Sequence, residues 1–237
     1  MPDDEIERIL VVVAHPDDVD FGAAGSIARW TDAGIEVAYC IVTDGEAGGR
    51  HDGIEPLELG ELRRVEQTAA AKTVGVTDLT FLGYPDGRLL SSLDLRRDIT
   101  RVIRRARPQR VLCPSPERDY QRIFASHPDH LACGDAALSA VYPDARNRFA
   151  YPELLDEGCE PWEVEEVYLM AAAEPTVFVD ITDTVARKIA ALRSHASQMA
   201  DPDDLDARIR AWGASVAERA GWPPGRIGEG FLRVGTR

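Results

Sequence analysis

Residues Ile9 to Ala14 read ILVVVA, an unbroken apolar run of strand length. A strand with one wet face alternates apolar and polar side chains, so a continuous run predicts a strand covered on both faces, as in the middle of a parallel sheet. A polar break follows. From about Ala23 to Ala33 the residues Ile27, Ala28 and Trp30 lie on a helical stripe that Gly34 can close at the C′ position. Glu36 to Val42 is extended and apolar again, which completes one βαβ unit with an expected right-handed crossover. The alternation continues with a helix from Leu59 to Val74 ended by Gly75, a strand from Leu79 to Leu82, and a helix from Asp94 to Ala106 before Pro108. Next come a short strand from Arg110 to Cys113 and a helix from Pro128 to Ala140. A proline-rich irregular stretch from Tyr142 to Pro161 leads to strands near Glu166 to Ala171 and Thr176 to Val179, and helices from Asp183 to Gln198 and Asp204 to Ala220 end the regular structure. No repeat, low-complexity segment or flexible linker interrupts the pattern. The expectation is one domain over residues 1–237: an α/β, Rossmann-like three-layer sandwich around a mostly parallel central sheet.

Composition narrows the partners. The chain has 237 residues, 27 Lys+Arg and 41 Asp+Glu, for a formal net charge of -14. A chain of this length buries roughly 70 to 75 % of its unfolded surface and needs no staple in order to fold. The acidic balance argues against nucleic acid and anionic membrane surfaces as partners, and no run approaches the ~18 apolar residues of a spanning helix. A homo-oligomer is compatible with the composition. Met1 to Arg8 is acidic where a secretory signal would be basic, which predicts a cytoplasmic protein. The four cysteines show no CxxC spacing, so reduced thiols are expected.

The chemistry gathers where strands end. In open α/β sheets ligands bind beyond the carboxyl ends of the strands. Directly after the first strand comes His15-Pro16-Asp17-Asp18, then Asp20, Gly22 and Gly25. Either aspartate can cap the next helix. Yet a histidine and two adjacent carboxylates in one crevice crowd like charges, which a cation would relieve. His127-Pro128-Asp129-His130 follows the fourth strand, with Pro128 suited to the first helical position and two imidazoles three residues apart on one side of the first turn. His15, Asp18 and His130 would form a two-histidine, one-carboxylate site, which suits Zn²⁺ with open coordination positions, and also Fe²⁺ or another divalent metal.

Taken with TDGEAG after the second strand, AHPDD and HPDH resemble the PIG-L/LmbE-like superfamily of metal-dependent N-acetylglucosaminyl deacetylases. The resemblance spans most of the chain. Arg63 and Glu66 are similar to its RxxE helix, LGYPDGRL at Leu82 to Leu89 to its LGxxDGxL segment, and Lys188 to Gln198 to its KxxALxxHxSQ helix. It implies His15, Asp18 and His130 as metal ligands, Asp17 as general base and His127 as a second catalytic group. It further implies removal of an N-acetyl group from a GlcNAc-containing or related small-molecule amino-sugar conjugate. Two departures stand out: Asp20 takes the place of a longer acid with Ala24-Gly25 where a GG pair is common, and Ala125-Ser126 leaves no tyrosine just upstream of HPDH, so that role is vacant or passes to Tyr120 or to the segment between Pro114 and Ser126.

The remaining residues have two readings each. Arg63 is a polar substrate anchor or half of a solvated helix pair, Asp86 is a sugar-facing carboxylate or an Asx-turn residue, and His195 faces substrate or pairs inside the core. Asp20, Thr43, Asp44 and Asp129, with Glu46, are expected to support the ligands or the cleft wall. The same chemistry would serve an amidase acting on a larger thiol-conjugate or antibiotic-sugar amide, given a wider and more apolar mouth. A dinucleotide-binding protein is a poorer match, because HPDDVDFGAAG is not GxGxxG and its aspartates repel a pyrophosphate. A metal-binding scaffold without activity would have no need of Asp17.

Overall fold

The apolar run becomes strand β1 (Arg8–Val13), and its side chains divide by parity between two cores. Ile9, Val11 and Val13 join a buried cluster with residues of α1 (Asp18–Asp32), α2 (Pro56–Thr73), α6 (Val185–Arg193) and α7 (Leu205–Arg219). Leu10, Val12 and the following Ala14 join a second cluster with α3 (Leu93–Ala106) and α4 (Pro128–Ser139). Coverage on both faces is therefore the reason the run does not alternate.

The structure is a computed structural model that describes residues 3–49, 53–199 and 203–236. The other strands are β2 (Glu36–Thr43), β3 (Asp78–Tyr84), β4 (Arg110–Pro114), β5 (Glu166–Met170), β6 (Val177–Asp180) and β7 (Gly228–Gly235). They form a seven-stranded sheet in the order β3-β2-β1-β4-β5-β7-β6. The first five run parallel, and β7 is antiparallel to both β5 and β6. With helices on both faces this is the expected three-layer α/β sandwich. Because β2 and β4 leave β1 in opposite directions, a crevice opens beyond the carboxyl ends of β1 and β4. Gly34 and Gly75, at φ 87° and 86°, close α1 and α2 as expected.

Several boundaries differ from expectation. Helix α1 starts at Asp18 rather than near Ala23, because Val19 and Asp20 of the polar break are themselves buried. Pro56 starts α2 one turn early, as the first helical residue. The helix expected up to Gln198 ends at Arg193, and a 3-10 turn covers Ala196–Gln198. Strand β7 was not predicted: GEGFLRVG is glycine-rich and shows no clear period, and its pairing with two partners supplies the order instead. The proline-rich stretch holds a short helix, α5 (Glu153–Asp156), and is organised by buried Arg104. The Arg104 guanidinium donates to the carbonyls of Ala145, Asp144, Asn147, Ala150 and Cys159. All four cysteines are buried and free. Among the described residues no helix is long and apolar enough to cross a membrane.

Candidate metal centre and active site

The turn after β1 places His15 and Asp18 at the crevice, and α4 brings His130 from the β4 side. His15 Nδ1 lies 3.2 Å from His130 Nε2 and 3.4 Å from Asp18 Oδ2, and His130 Nε2 lies 2.9 Å from Asp18 Oδ1. Tetrahedral donors at 2.0–2.1 Å from a zinc-sized cation stand about 3.3 Å from one another, so these three groups fit such an ion. The amide of His15 donates to Asp18 Oδ2 at 2.8 Å, which fixes the carboxylate at the start of α1.

The far side of His15 is also charged. Its Nε2 is 3.0 Å from Asp86 Oδ1 and 3.2 Å from Asp129 Oδ2. One ring proton shared by these oxygens leaves Nδ1 free to coordinate, the arrangement that orients metal-bound imidazoles. Asp129 is fixed in turn by the amides of Gly87 and Leu89, at 2.7 and 3.1 Å. The electrostatics call for a cation at this point. Burial alone would lower the pKa of His15, yet Asp129, Asp18 and Asp86 raise it to about 12. Burial likewise opposes charge on Asp18 and His130, but their mutual attraction holds Asp18 below and His130 above the ordinary range.

The nitrogens of His15, His127 and His130 also come within 4.8 Å of one another. His127 is the outlier of the three. Its ring centroid is 5.0 Å from that of His15 and 5.4 Å from that of His130, and its Nδ1 accepts from the amide of Asp129 at 3.3 Å as the cap of α4. We therefore group Asp18, not His127, with the two histidines. That accepted bond puts the proton of a neutral His127 on Nε2. Burial, with the charges of His15 and His130, lowers the pKa of His127 despite Asp129 and Asp86.

Asp17 adopts φ 88°, a left-handed conformation that is strained for a residue with a side chain. Its surroundings hold it there. Its amide donates to Gln67 Oε1 at 2.8 Å, and Arg63 donates to its carboxylate at 3.3 Å and to Pro16 O at 2.7 Å. Burial, reinforced by the charge of Asp18, pushes the Asp17 carboxyl up to about 7 against the pull of Arg63, His195 and His15.

Several expected roles change. Arg63 is 4 % exposed and also donates to Gly45 O at 2.8 Å, so it clamps the Asp17 turn rather than pointing into an open cleft. Asp86 faces His15 instead of a sugar, and its other oxygen accepts from the amide of Ala47. His195, 0 % exposed, bonds Asp20 Oδ2 at 2.8 Å, which matches the core-pair reading of this residue. Asp20 also accepts from Gln67 Nε2 at 2.9 Å, so it backs Asp17 rather than the metal ligands. Tyr120 is 85 % exposed, on a turn held by the Asp119 amide donating to Ser126 Oγ. Asp44 pairs with Arg64 at 2.7 Å and touches no ligand. Thr43 donates to Ala14 O at 2.9 Å and so steadies the turn that carries His15.

Sequence reasoning missed Gln67, which is fully buried one helical turn beyond Arg63, and the i,i+4 spacing on α2 was the available signal. It also missed Glu229, the 2.5 Å partner of buried Lys188. Glu66, the acid of the RxxE pattern, accepts from the amide and hydroxyl of Ser197 at 2.8 and 2.6 Å, tying α2 to the 196–198 turn.

The chain is similar to known deacetylases. Diacetylchitobiose deacetylase of Thermococcus kodakarensis is 33 % identical over 204 residues, which cover 86 % of this chain and 74 % of that protein. The 1D-myo-inositol 2-acetamido-2-deoxy-alpha-D-glucopyranoside deacetylase of Kineococcus radiotolerans is 31 % identical, covering 88 % and 73 %. Among solved structures, N,N'-diacetylchitobiose deacetylase from Pyrococcus horikoshii in complex with its inhibitor MPG superimposes with a TM-score of 0.89 at 32 % identity, over 99 % of this chain and 86 % of that one. The family model for PIG-L, GlcNAc-PI de-N-acetylase, matches residues 10–141. That stretch is more than half of the chain and contains the histidines and aspartates assembled at the crevice, and the chain belongs to the PIG-L family.

Proposed function

We propose that this protein is a zinc-dependent hydrolase that removes the N-acetyl group from a GlcNAc-containing or related amino-sugar conjugate, acting as one domain in the cytoplasm. One observation carries the reading: His15 Nδ1, His130 Nε2 and the Asp18 carboxylate lie at mutual distances of 2.9 to 3.4 Å, with Asp17 next to Asp18 in the turn and its carboxyl within reach of the Asp18 and His15 charges. The names of the relatives support the amino-sugar substrate class.

His15, Asp18 and His130 would hold the metal, which when bound supplies Lewis acidity toward an amide carbonyl and lowers the pKa of water. Asp17 takes the proton of the attacking water, a task favoured by a carboxyl pKa of about 7. The Nε2–H of His127 donates to the oxygen that becomes negative as the carbonyl carbon turns tetrahedral. The proton held by Asp17 then goes to the departing amine. Arg63 and Gln67 keep Asp17 in its strained conformation, so its position costs no rearrangement during turnover.

The test combines metal analysis with amine release from N,N'-diacetylchitobiose and a panel of N-acetylglucosaminides. We expect about one zinc per chain, loss of activity on chelation and recovery with Zn²⁺. Full activity in the metal-stripped protein overturns the reading, and stronger recovery with Fe²⁺ replaces zinc within it.

A further inference from the structure

A cavity of about 450 Å³ opens beside Asp18 and His130 and runs between α1, the end of β5 and α7. Its walls carry Phe21, Met170, Ile181, Ile209, Trp212 and Val216. A sugar ring would need unspent donors and acceptors here, and these side chains present hydrocarbon, an indole and a thioether instead. The charged groups on the wall do not change this. Lys188 and Glu229 pair with each other at 2.5 Å, Arg122 pairs with Asp119 at 3.0 Å, and Arg208 and Arg219 are exposed. Gly22 lies one helical turn after Asp18, and a Cβ on it would stand 2.7 Å from Met170 Sδ, so the thioether packs directly on the α1 backbone and both residues line the cavity.

We propose that this cavity is a subsite for an apolar chain carried by the substrate and reaching away from the metal ligands. The inference rests on the deacetylase reading and narrows it to amino-sugar amides bearing an alkyl or similarly apolar substituent. Two parts of such a substrate can bear the chain, the acyl group or the aglycone, and the chemistry of the wall is the same for both.

The experiment uses the metal-loaded protein and two substrate series. In one, glucosamine carries N-acetyl, N-butanoyl or N-hexanoyl groups; in the other, N-acetylglucosamine carries a methyl, butyl or hexyl aglycone. In the series that reaches the cavity, kcat/KM should rise about fourfold per added methylene, the fold-change that corresponds to ~0.8 kcal/mol of burial. The responding series identifies which part bears the chain. Val216→Trp, which fills the cavity from α7, should cut the ratio of hexyl or hexanoyl to short-chain substrate at least tenfold. Calorimetric binding of n-alkyl glucosaminides that lack an amide gives a readout independent of turnover, with affinity rising along the same lengths. Hydrolysis of the N-acetyl substrates with no length dependence in either series overturns the subsite and leaves the deacetylase reading standing. Length-dependent binding without hydrolysis supports the subsite and overturns the deacetylase reading.

Discussion

Helix α1 meets buried charge at two places, and the balance differs. At its start the carboxylates of Asp18, Asp86 and Asp129 lie 2.9 to 3.4 Å from the imidazoles of His15 and His130, with Asp17 adjacent. In its middle one ammonium meets one carboxylate. Lys188 Nζ lies 2.5 Å from Glu229 Oε1 and donates to the carbonyl of Phe21, while Glu229 accepts from the amides of Gly25 and Ser26. The first group has a negative surplus and an open side, so it can bind a cation. The second is neutral as a pair and holds helix backbone groups, which makes it a fastening. Neutralising one charge should therefore change binding and rate at the first place and stability at the second.

The largest effect is expected for His130→Ala. It removes one of three donors at a site on which the two cores do not depend, so metal content should fall from about one per chain to background and amine release should stop. Circular dichroism and the unfolding midpoint of the metal-free protein should stay close to wild type. Retention of metal and activity would move His130 out of the donor set.

Asp17→Asn should keep the metal and lower kcat by about 10² to 10⁴, because the amide keeps the shape but accepts no proton. In the wild type, activity should fall as pH drops through about 7, where Asp17 becomes protonated. Stability has the opposite sign. Burial raises the folded pKa of Asp17 above its ordinary 3.8, so its contribution is fully present below 3.8 and is lost as pH rises toward about 7. Asn avoids that loss. Thermal melts with chelator present should thus show Asp17→Asn gaining on wild type between about pH 4 and pH 8. Parallel melting curves across that range would mean that Asp17 is not held against its charge.

Lys188→Met tests the fastening. It leaves Glu229 buried without its cation, which typically costs about 3–5 kcal/mol, whereas metal affinity should be unchanged. Chemical denaturation and zinc titration of one preparation separate the two. Loss of zinc affinity with stability intact would reverse the comparison drawn along α1.

The two places were not equally legible in the sequence. His15, Asp18 and His130 follow strands whose buried runs mark them as central, so topology alone brings them to one crevice. Lys188 was visible only as part of a motif, and its partner lies on β7, a strand whose glycines conceal its period. The supporting residues of the site were hard to assign for a related reason. Asp86 and Arg63 are polar groups on a turn and a helix, and whether such groups face solvent, substrate or protein depends on contacts from other elements: Asp86 on His15 after β1, and Arg63 on the carbonyls of Pro16 and Gly45.

The neighbouring arginines of α2 give the smallest and most discriminating prediction. Arg63 and Arg64 adjoin in sequence and each meets an aspartate, but the Arg63 side chain is 4 % exposed and that of Arg64 is 40 % exposed. Arg64 binds both oxygens of Asp44 at 2.7 Å, and the Asp44 side chain is itself 23 % exposed. Water already solvates such a pair well, so Arg64→Gln should cost about 0–1 kcal/mol and less at high salt. Since Asp44 touches no metal ligand, kcat and zinc affinity should not move. Arg63→Gln, made alongside it, removes the cation that faces Asp17 and disturbs the carbonyls that shape its turn, so its loss should appear in kcat more than in KM. Measuring both variants at low and high salt resolves the pair. A kcat loss in Arg64→Gln as large as that in Arg63→Gln would show that Asp44 acts on the site after all.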